Sequence, residues 1–188
     1  NQYKIILASN SPRRKELLSG LDVAFDVRVI GDIDEYYPDS MPANDVALYI
    51  SKKKAAAYIA AMADDELVIT ADTVVILDDE VMGKPADADD AKRMLKRLSG
   101  RTHHVVTGVC LTTLQNQKSF SVTTDVAFKE LSDDEIDYYV AKYSPMDKAG
   151  AYGIQEWIGH IAVVNIKGSY FNVMGLPVQR IYDELLRF

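Results

Sequence analysis

A short segment near the start of the chain combines small polar residues with three consecutive cations. The segment, Ser9–Leu18, follows an apolar stretch directly, as a helix follows a buried strand. Ser11 is a typical helix N-cap, and Pro12 suits a first helical turn, where N–H groups lack intrahelical partners. Free N–H groups, hydroxyls and the guanidinium groups of Arg13 and Arg14 favour a polyanion such as a phosphate chain. A solvated helix start is the alternative interpretation, and the chain has no Walker A motif.

Asp72 is an acidic residue inside an apolar, β-branched run, Leu67–Leu77, which is typical of a strand covered on both faces. Burying an unpaired carboxylate is costly, so such a residue is either paired or faces a cleft at a strand end. The functional interpretation makes Asp72 a general base or a metal ligand. The structural alternative is a carboxylate that pairs with an arginine or caps a nearby helix.

Several lysines and one acidic loop could complete an anion or metal site. Lys52–Lys54 lies on a predicted long helix, whose geometry lets one or two of the three face a site. Lys84 lies in a Gly-Lys-Pro turn, a common kind of loop. The carboxylates of Asp32, Asp34 and Glu35 occupy a long loop, where they could bind a hard divalent cation or simply keep the loop soluble.

The segment Asp147–Gln155 contains two glycines and two alanines, which predict a tight loop packed closely against a neighbour. The amide of Gln155 both donates and accepts, so it could read the O4/N3–H edge of uracil or thymine. A glutamine that caps backbone groups is the commoner case. Trp157 could stack on a base, although a lone tryptophan near a strand more often belongs to the core. Gly168–Pro177 is predicted to be a connecting turn before the last helix.

Composition excludes some classes of function. The 188 residues carry a formal net charge of −7 and are 48% hydrophobic, as in an ordinary globular protein. An acidic chain does not favour nucleic acid, but local cations can still hold a small anion. No apolar stretch is long enough for a membrane span, and no secretory signal is present, so no membrane partner is expected. Cys110 cannot form an internal disulfide, which predicts a cytoplasmic location and a buried thiol.

Hydrophobic patterns predict alternating strands and helices with one hairpin, hence an α/β fold with a mixed sheet. The predicted strands are Ile5–Ala8, Val23–Val29, Leu67–Leu77, Thr102–Leu114, Lys118–Phe128 and His160–Ile166. Four later helices are also predicted. The first is capped by Asn44 or Asp45, and the second spans Ala88–Leu98. The third begins with a capping box of Ser132 and Glu135 and ends near Tyr143, and the last spans Pro177–Leu186.

In their order along the chain, these segments resemble the Maf family. The matching blocks are Ser9–Leu18, Lys54–Ala55, Ala71–Val75, Gly83–Pro85, Asp147–Gln155 and Gly168–Pro177. The resemblance covers essentially the whole chain. It implies a single Maf-like domain over residues 1–188, similar to inosine triphosphatases, with a mixed twisted sheet, flanking helices and two lobes around a nucleotide cleft. It also implies a house-cleaning nucleoside triphosphate pyrophosphatase that uses Mg²⁺ or Mn²⁺, and it is compatible with a homodimer.

The resemblance implies a role for each matching residue. Asp72 matches the catalytic proton acceptor and, with Glu35, would hold the metal. The phosphate-binding residues would be Ser11, Arg14, Lys54 and Lys84. The positions that sort substrates in the family are here Arg13, Thr73 and Gln155. That combination resembles the branch acting on dTTP and UTP, and on modified pyrimidine nucleotides, rather than the branch acting on 7-methylguanosine triphosphate.

Two departures from the family pattern would lie at the rim of the base pocket. In the segment Ser144–Met146, the family often has an acidic residue before the proline, where this chain has a serine. After Gln155 the family usually has small residues, whereas this chain has Glu156 and Trp157. Two other functions stay open at this point: a nucleotide-binding regulator of cell division and septum formation with little turnover, and a pyrophosphatase for modified purine nucleotides. Asp72 favours an enzyme, because a protein that only binds nucleotide does not need that carboxylate.

Overall fold

The computed structural model describes residues 2–188, which form a mixed α/β fold with a seven-stranded sheet. The strands are β1 (Lys4–Leu7), β2 (Phe25–Val27), β3 (Glu66–Leu77), β4 (Glu80–Met82), β5 (Thr102–Thr112), β6 (Gln117–Phe128) and β7 (Val163–Lys167). Their order is β2-β1-β3-β5-β6-β7, and β4 pairs with β3 beside this path. β1 is parallel to β2 and β3, whereas the pairs β3–β4 and β6–β7 are antiparallel, so the sheet is mixed.

Helices follow or precede most of the strands. They are α1 (Pro12–Ser19), α2 (Ala43–Tyr58), α3 (Ala88–Leu98), α4 (Asp133–Tyr143), α5 (Trp157–Ala162), α6 (Tyr170–Met174) and α7 (Val178–Leu186). Within residues 2–188, no helix has the length and apolar character that a membrane span requires.

The chain divides into two compact units, and three long strands contribute residues to both. The first unit comprises the residues up to Thr73 together with Thr107–Val122 and Gly175–Phe188, and the second comprises Val74–Val106 and Thr123–Met174. The second unit has its own apolar core, in which Leu95, Leu98 and Tyr139 are fully buried. In the first unit, Ile6, Tyr58 and Val68 form a buried cluster that joins β1, β3 and α2.

Several predictions from local sequence are confirmed. Ser11 caps α1, since its hydroxyl accepts the N–H of Arg14 at 3.3 Å. α3 has the predicted bounds, and α4 begins with the predicted capping box. There the Ser132 hydroxyl accepts the Glu135 N–H at 3.1 Å, and the Glu135 carboxylate accepts the Ser132 N–H at 2.9 Å. Cys110 is fully buried, as expected for a structural thiol, and burial raises its pKa.

Three predictions about element boundaries are wrong. Neither Asn44 nor Asp45 caps α2, because the helix already begins at Ala43 and the Pro42 carbonyl accepts the Asp45 N–H at 2.9 Å. The predicted strand at His160 starts only at Val163, since the three residues before it complete α5. The predicted connecting turn Gly168–Pro177 contains the short helix α6.

Candidate active site

One lysine and two carboxylates meet in the first unit. The ammonium of Lys54, on α2, lies 3.2 Å from a carboxylate oxygen of Asp72 on β3 and 3.2 Å from one of Glu35 in the acidic loop. The same ammonium donates to the Ala71 carbonyl at 3.1 Å. The side chains of Lys54 and Asp72 are only 17% and 16% exposed, whereas that of Glu35 is 54% exposed. The three charges therefore form a cluster that is buried at one end and open at Glu35.

Backbone and small side chains hold α2 against the sheet at this cluster. The Ser51 hydroxyl donates to the Thr70 carbonyl at 3.1 Å, and the Thr70 hydroxyl donates to the Ser51 carbonyl at 3.0 Å. On β5, a Cβ at Gly108 would lie 2.4 Å from the Leu48 backbone, so only glycine allows this close approach of α2. Lys54 follows Ser51 by nearly one helical turn, and its position relative to Asp72 is fixed by these contacts.

Burial raises the pKa of the Asp72 carboxyl above its ordinary value, and the nearby Glu35 carboxylate adds to the shift. The cations Lys54 and Arg14 oppose it. A carboxylate made more basic by burial, yet kept beside an ammonium, is suited to accepting a proton from a bound water.

The Arg14 side chain donates hydrogen bonds to two groups of its own unit. Its Nε donates to the Gly175 carbonyl at 2.8 Å, and one terminal nitrogen donates to the Thr73 hydroxyl at 3.0 Å. The Thr73 hydroxyl also lies 2.9 Å from the hydroxyl of Thr107. Burial lowers the pKa of the Arg14 guanidinium, although Asp72 opposes that shift. Among residues 2–188, two of the five N–H groups of the guanidinium are hydrogen-bonded in this way, so the others could donate to a ligand.

Arg13 differs from its neighbour, because no hydrogen bond or ion pair of its side chain occurs within the part of the chain that the structure describes. Ser11 uses its hydroxyl as the helix cap, and its own N–H donates to the Ser9 hydroxyl at 3.1 Å. In the segment Ser9–Leu18, Ser9 and Ser11 therefore form the turn, and hydrogen bonds hold the Arg14 side chain in place. The Arg13 side chain is held by no such bond among residues 2–188.

In the second unit, the predicted tight loop is fixed at its glycine. Gly150 has φ +69°, and a Cβ there would lie 2.9 Å from Val75, so the loop packs directly on β3. The Gly150 N–H donates to the Gly83 carbonyl at 3.1 Å, which joins this loop to the turn that carries Lys84. The side chain of Lys84 is exposed and makes no hydrogen bond or ion pair among residues 2–188.

A tyrosine and a glutamate hold the end of the loop that carries Gln155. The Tyr139 hydroxyl accepts the Gly153 N–H at 3.0 Å and donates to the Glu156 carboxylate at 2.5 Å. Lys148 lies 3.7 Å from the same carboxylate. Gln155 is partly buried, and its amide group has no hydrogen bond to any residue that the structure describes. Glu156, a departure from the family pattern, is thus part of the loop's internal structure.

Tyr152 anchors the middle of the same loop in the core. Its hydroxyl lies 2.5 Å from Nε2 of the buried His103, and its ring contacts those of His103 and Phe128 edge-on. Burial lowers the pKa of His103 to about 4, so the imidazole is neutral near pH 7. His103 and its neighbour His104 face opposite sides of β5, because His103 is buried whereas His104 is exposed and lies 2.6 Å from Asp125.

The sequence does not single out Thr107 in the first unit or Tyr139 in the second, because each fits an ordinary buried position in a strand or a helix. Glu156 does stand out in the sequence as a departure from the family pattern, but its hydrogen bond with Tyr139 is not predictable from that departure.

The donors for a metal ion are few. Among residues 2–188 there is no group of three or more histidine, cysteine, aspartate or glutamate side chains that could hold one. Glu35 and Asp72 are the two carboxylates that converge, and they share the Lys54 ammonium. Two carboxylates suit Mg²⁺ or Mn²⁺, since such ions commonly take one or two protein carboxylates and complete their coordination with substrate phosphates and water. The residues present therefore fit a hard divalent cation that is bound together with a phosphate ligand.

Comparison with known proteins gives consistent results over the full length of the chain. The family model described as "Maf-like protein" matches residues 4–188. A relative from Phocaeicola vulgatus, named dTTP/UTP pyrophosphatase, is 65% identical over 98% of this chain and 95% of its own. Relatives of the same name from Parabacteroides distasonis and Bacteroides thetaiotaomicron are 59% and 57% identical, covering 100% and 98% of this chain and 97% and 96% of their own.

A solved structure shares the fold. A HAM1 protein from Coxiella burnetii superposes with a TM-score of 0.51 at 14% sequence identity, covering 99% of this chain and all of that one. At this identity the likeness concerns the fold alone.

Proposed function

Because the chain belongs to the Maf family, we propose that it is a nucleoside triphosphate pyrophosphatase with a house-cleaning role. It hydrolyses dTTP and UTP to the nucleoside monophosphate and pyrophosphate. The observation that carries the reaction is the largely buried Asp72 carboxylate beside the Lys54 ammonium. The names of relatives that match nearly the whole chain support the choice of substrates.

Asp72 acts as the proton acceptor for the attacking water in this proposal. Its raised pKa makes it a better base than an exposed aspartate, and Lys54 favours its ionised form before the proton arrives. Glu35 and Asp72 would hold the divalent cation, which when bound neutralises charge on the phosphoryl oxygens.

Cations of the chain bind the phosphate groups. We assign this role to Lys54 and Arg14 in the first unit and to Lys84 in the second, with Ser11 shaping the turn at the start of α1. A triphosphate carries about four negative charges near neutral pH, so several fixed cations are needed to stabilise the charge that develops during the reaction.

Arg13, Thr73 and Gln155 select the base. The support for Arg13 and Gln155 is that neither side chain is occupied by another residue in the range 2–188. Thr73 is held in place by Arg14 and Thr107, so its hydroxyl has a defined direction.

We also infer that residues 1–188 form a single Maf-like domain, which the length of the family match supports. A homodimer and a cytoplasmic location stay predictions.

The experiment that tests the function is pyrophosphate release across a nucleotide panel. The panel contains dTTP, UTP, ITP, XTP and 7-methylguanosine triphosphate, each with Mg²⁺ or Mn²⁺. The highest kcat/KM is expected for dTTP and UTP. Faster hydrolysis of the purine nucleotides would overturn the substrate assignment, and no release from any nucleotide would leave a binding protein instead of an enzyme.

A further inference from the structure

Lys53 is the neighbour of Lys54 on α2, but its ammonium binds a different part of the acidic loop. It donates to the Tyr36 carbonyl at 2.8 Å and to a carboxylate oxygen of Asp34 at 3.2 Å. These two residues immediately precede and follow Glu35. One side chain therefore holds the loop on both sides of the residue that faces Lys54.

Aromatic contacts keep the Lys53 side chain in this position. Its ammonium lies 5.6 Å from the ring centre of Tyr49 and 6.0 Å from that of Tyr36. Asp34 also accepts the Tyr36 N–H at 2.8 Å. The side chain of Lys53 is only 27% exposed, which is low for a lysine with a solvated role.

Glu35 depends on its neighbours for its position. Its side chain is 54% exposed, and its ion pair within residues 2–188 is the one with Lys54. A half-exposed carboxylate in a loop keeps much of its conformational freedom, since a single exposed ion pair holds it only weakly. Fixing the backbone before and after Glu35 removes much of that freedom.

We propose that Lys53 is a positioning residue that holds Glu35 ready to bind the divalent cation. This inference rests on the proposed function, in which Glu35 and Asp72 are the metal-binding carboxylates. In this role Lys53 acts through its bonds to Asp34 and Tyr36 and not through a bond to substrate or metal. Its effect passes through the loop backbone to the Glu35 carboxylate.

Whether removal of the Lys53 ammonium weakens or strengthens cation binding distinguishes a positioning role from a purely electrostatic effect. Removing a positive charge near a cation site would by itself strengthen cation binding, because it removes a repulsion. Removing a residue that orders a ligand weakens cation binding. Lys53→Met is the informative variant, since methionine keeps the apolar stem against the two tyrosine rings but has no N–H donors.

The experiment is a double-mutant cycle with Lys53→Met and Glu35→Gln. The half-activating Mg²⁺ concentration is measured during dTTP hydrolysis, and Mn²⁺ affinity of the protein with a non-hydrolysable dTTP analogue is measured by electron paramagnetic resonance. Lys53→Met is expected to raise the half-activating Mg²⁺ concentration and to lower the Mn²⁺ affinity, each by about three- to tenfold. The kcat at saturating Mg²⁺ is expected to stay near the wild-type value. In the Glu35→Gln background, the same substitution is expected to change the half-activating Mg²⁺ concentration and the Mn²⁺ affinity by less than about twofold.

Two controls accompany the cycle. Lys52→Met removes the same charge from the exposed neighbouring position and is expected to change neither quantity. Lys53→Arg keeps a cationic donor and is expected to restore most of the metal affinity. The melting temperature of each variant shows whether it is folded.

Three results would overturn the inference: unchanged Mn²⁺ affinity in Lys53→Met, stronger Mn²⁺ binding, or an equal loss with and without Glu35. Failure of the proposed function looks different. Wild-type protein that binds Mn²⁺ in a Lys53-dependent way but releases no pyrophosphate would support the positioning role and overturn the reaction.

Discussion

Asp72 and Lys54 show how one pair of charges serves both the fold and the chemistry. Removing the Lys54 charge would leave the Asp72 carboxylate largely buried without its ion-pair partner, which is costly. Burial nevertheless outweighs the cations at Asp72, so its pKa stays above the ordinary value. The carboxylate is therefore more basic than an exposed aspartate while an ammonium remains within 3.2 Å.

Asp72→Asn tests the proton acceptor. Asparagine has nearly the same shape and can still accept a hydrogen bond from Lys54, but it cannot take a proton from water. The expected result is a kcat for dTTP lowered by about 10²–10⁴-fold, with a folded protein that still binds the nucleotide. The measurements are steady-state pyrophosphate release, dTTP binding by calorimetry, and circular dichroism. Near-normal turnover would remove Asp72 from the mechanism.

Gln155→Glu tests selection of the base. The carboxylate keeps the shape of the amide but loses its donor N–H groups, so it can no longer pair with O4 of uracil. The KM for UTP is expected to rise by about tenfold or more, with little change in melting temperature. Gln115→Glu introduces the same charge in an exposed turn and serves as the control. An unchanged base preference would assign Gln155 a structural role.

The start of a helix was predicted correctly where side chains close in sequence cap its first turn. Ser132 and Glu135 pair with each other's backbone at the start of α4, and both are visible in the sequence. Prediction failed at residues 160–162, because a helix of six residues shows too little periodicity to compete with the β-branched residues that follow. It failed at α2 because Pro42 begins the helix through its backbone carbonyl, without a side-chain cap.

The residues of the candidate site stand out in the sequence one by one, but the contacts that support them do not. The carboxylate in an apolar strand and the lysines on a helix stand out in the sequence. The bonds from Lys53 to the acidic loop join residues 17 and 19 positions apart, and the loop between them has no regular pattern. Such contacts depend on how an irregular loop folds back, which periodicity does not describe.

The start of β3 carries an ion pair with a testable pH dependence. Arg28 donates two parallel hydrogen bonds to Glu66, at 2.8 and 2.6 Å, and these bonds lower the pKa of the Glu66 carboxyl to about 2. In the unfolded chain this carboxyl takes up a proton near pH 4.5, before the folded state does. The stability from the pair is therefore complete above about pH 5 and is lost as the pH falls towards 2.

Glu66→Gln removes that dependence. The difference in unfolding free energy between wild type and variant is expected to be about 2 kcal/mol larger at pH 6 than at pH 3, because at low pH the unfolded wild type takes up a proton at Glu66. The measurement is the free energy of unfolding between pH 3 and pH 6. A difference between the two proteins that is constant across this range would show that the pair does not set the pKa of Glu66.

At the scale of the whole molecule, an acidic chain concentrates specific charges for an anionic substrate. The net charge is −7, yet each unit presents cations: Lys54 and Arg14, which hydrogen bonds hold in place, in the first, and the exposed Lys84 in the second. An acidic net charge therefore disfavours nucleic acid as a ligand but does not disfavour a nucleotide. Local arrangement rather than overall charge determines which anion is favoured.

A pyrophosphatase splits a nucleoside triphosphate between the α- and β-phosphates, so the products identify the reaction. The most direct test is chromatographic analysis of all products when purified protein and Mg²⁺ act on dTTP. The proposal predicts dTMP and pyrophosphate in equal amounts from the earliest times, with no dTDP. Release of dTDP and inorganic phosphate, or no conversion of dTTP at any Mg²⁺ or Mn²⁺ concentration, would contradict it.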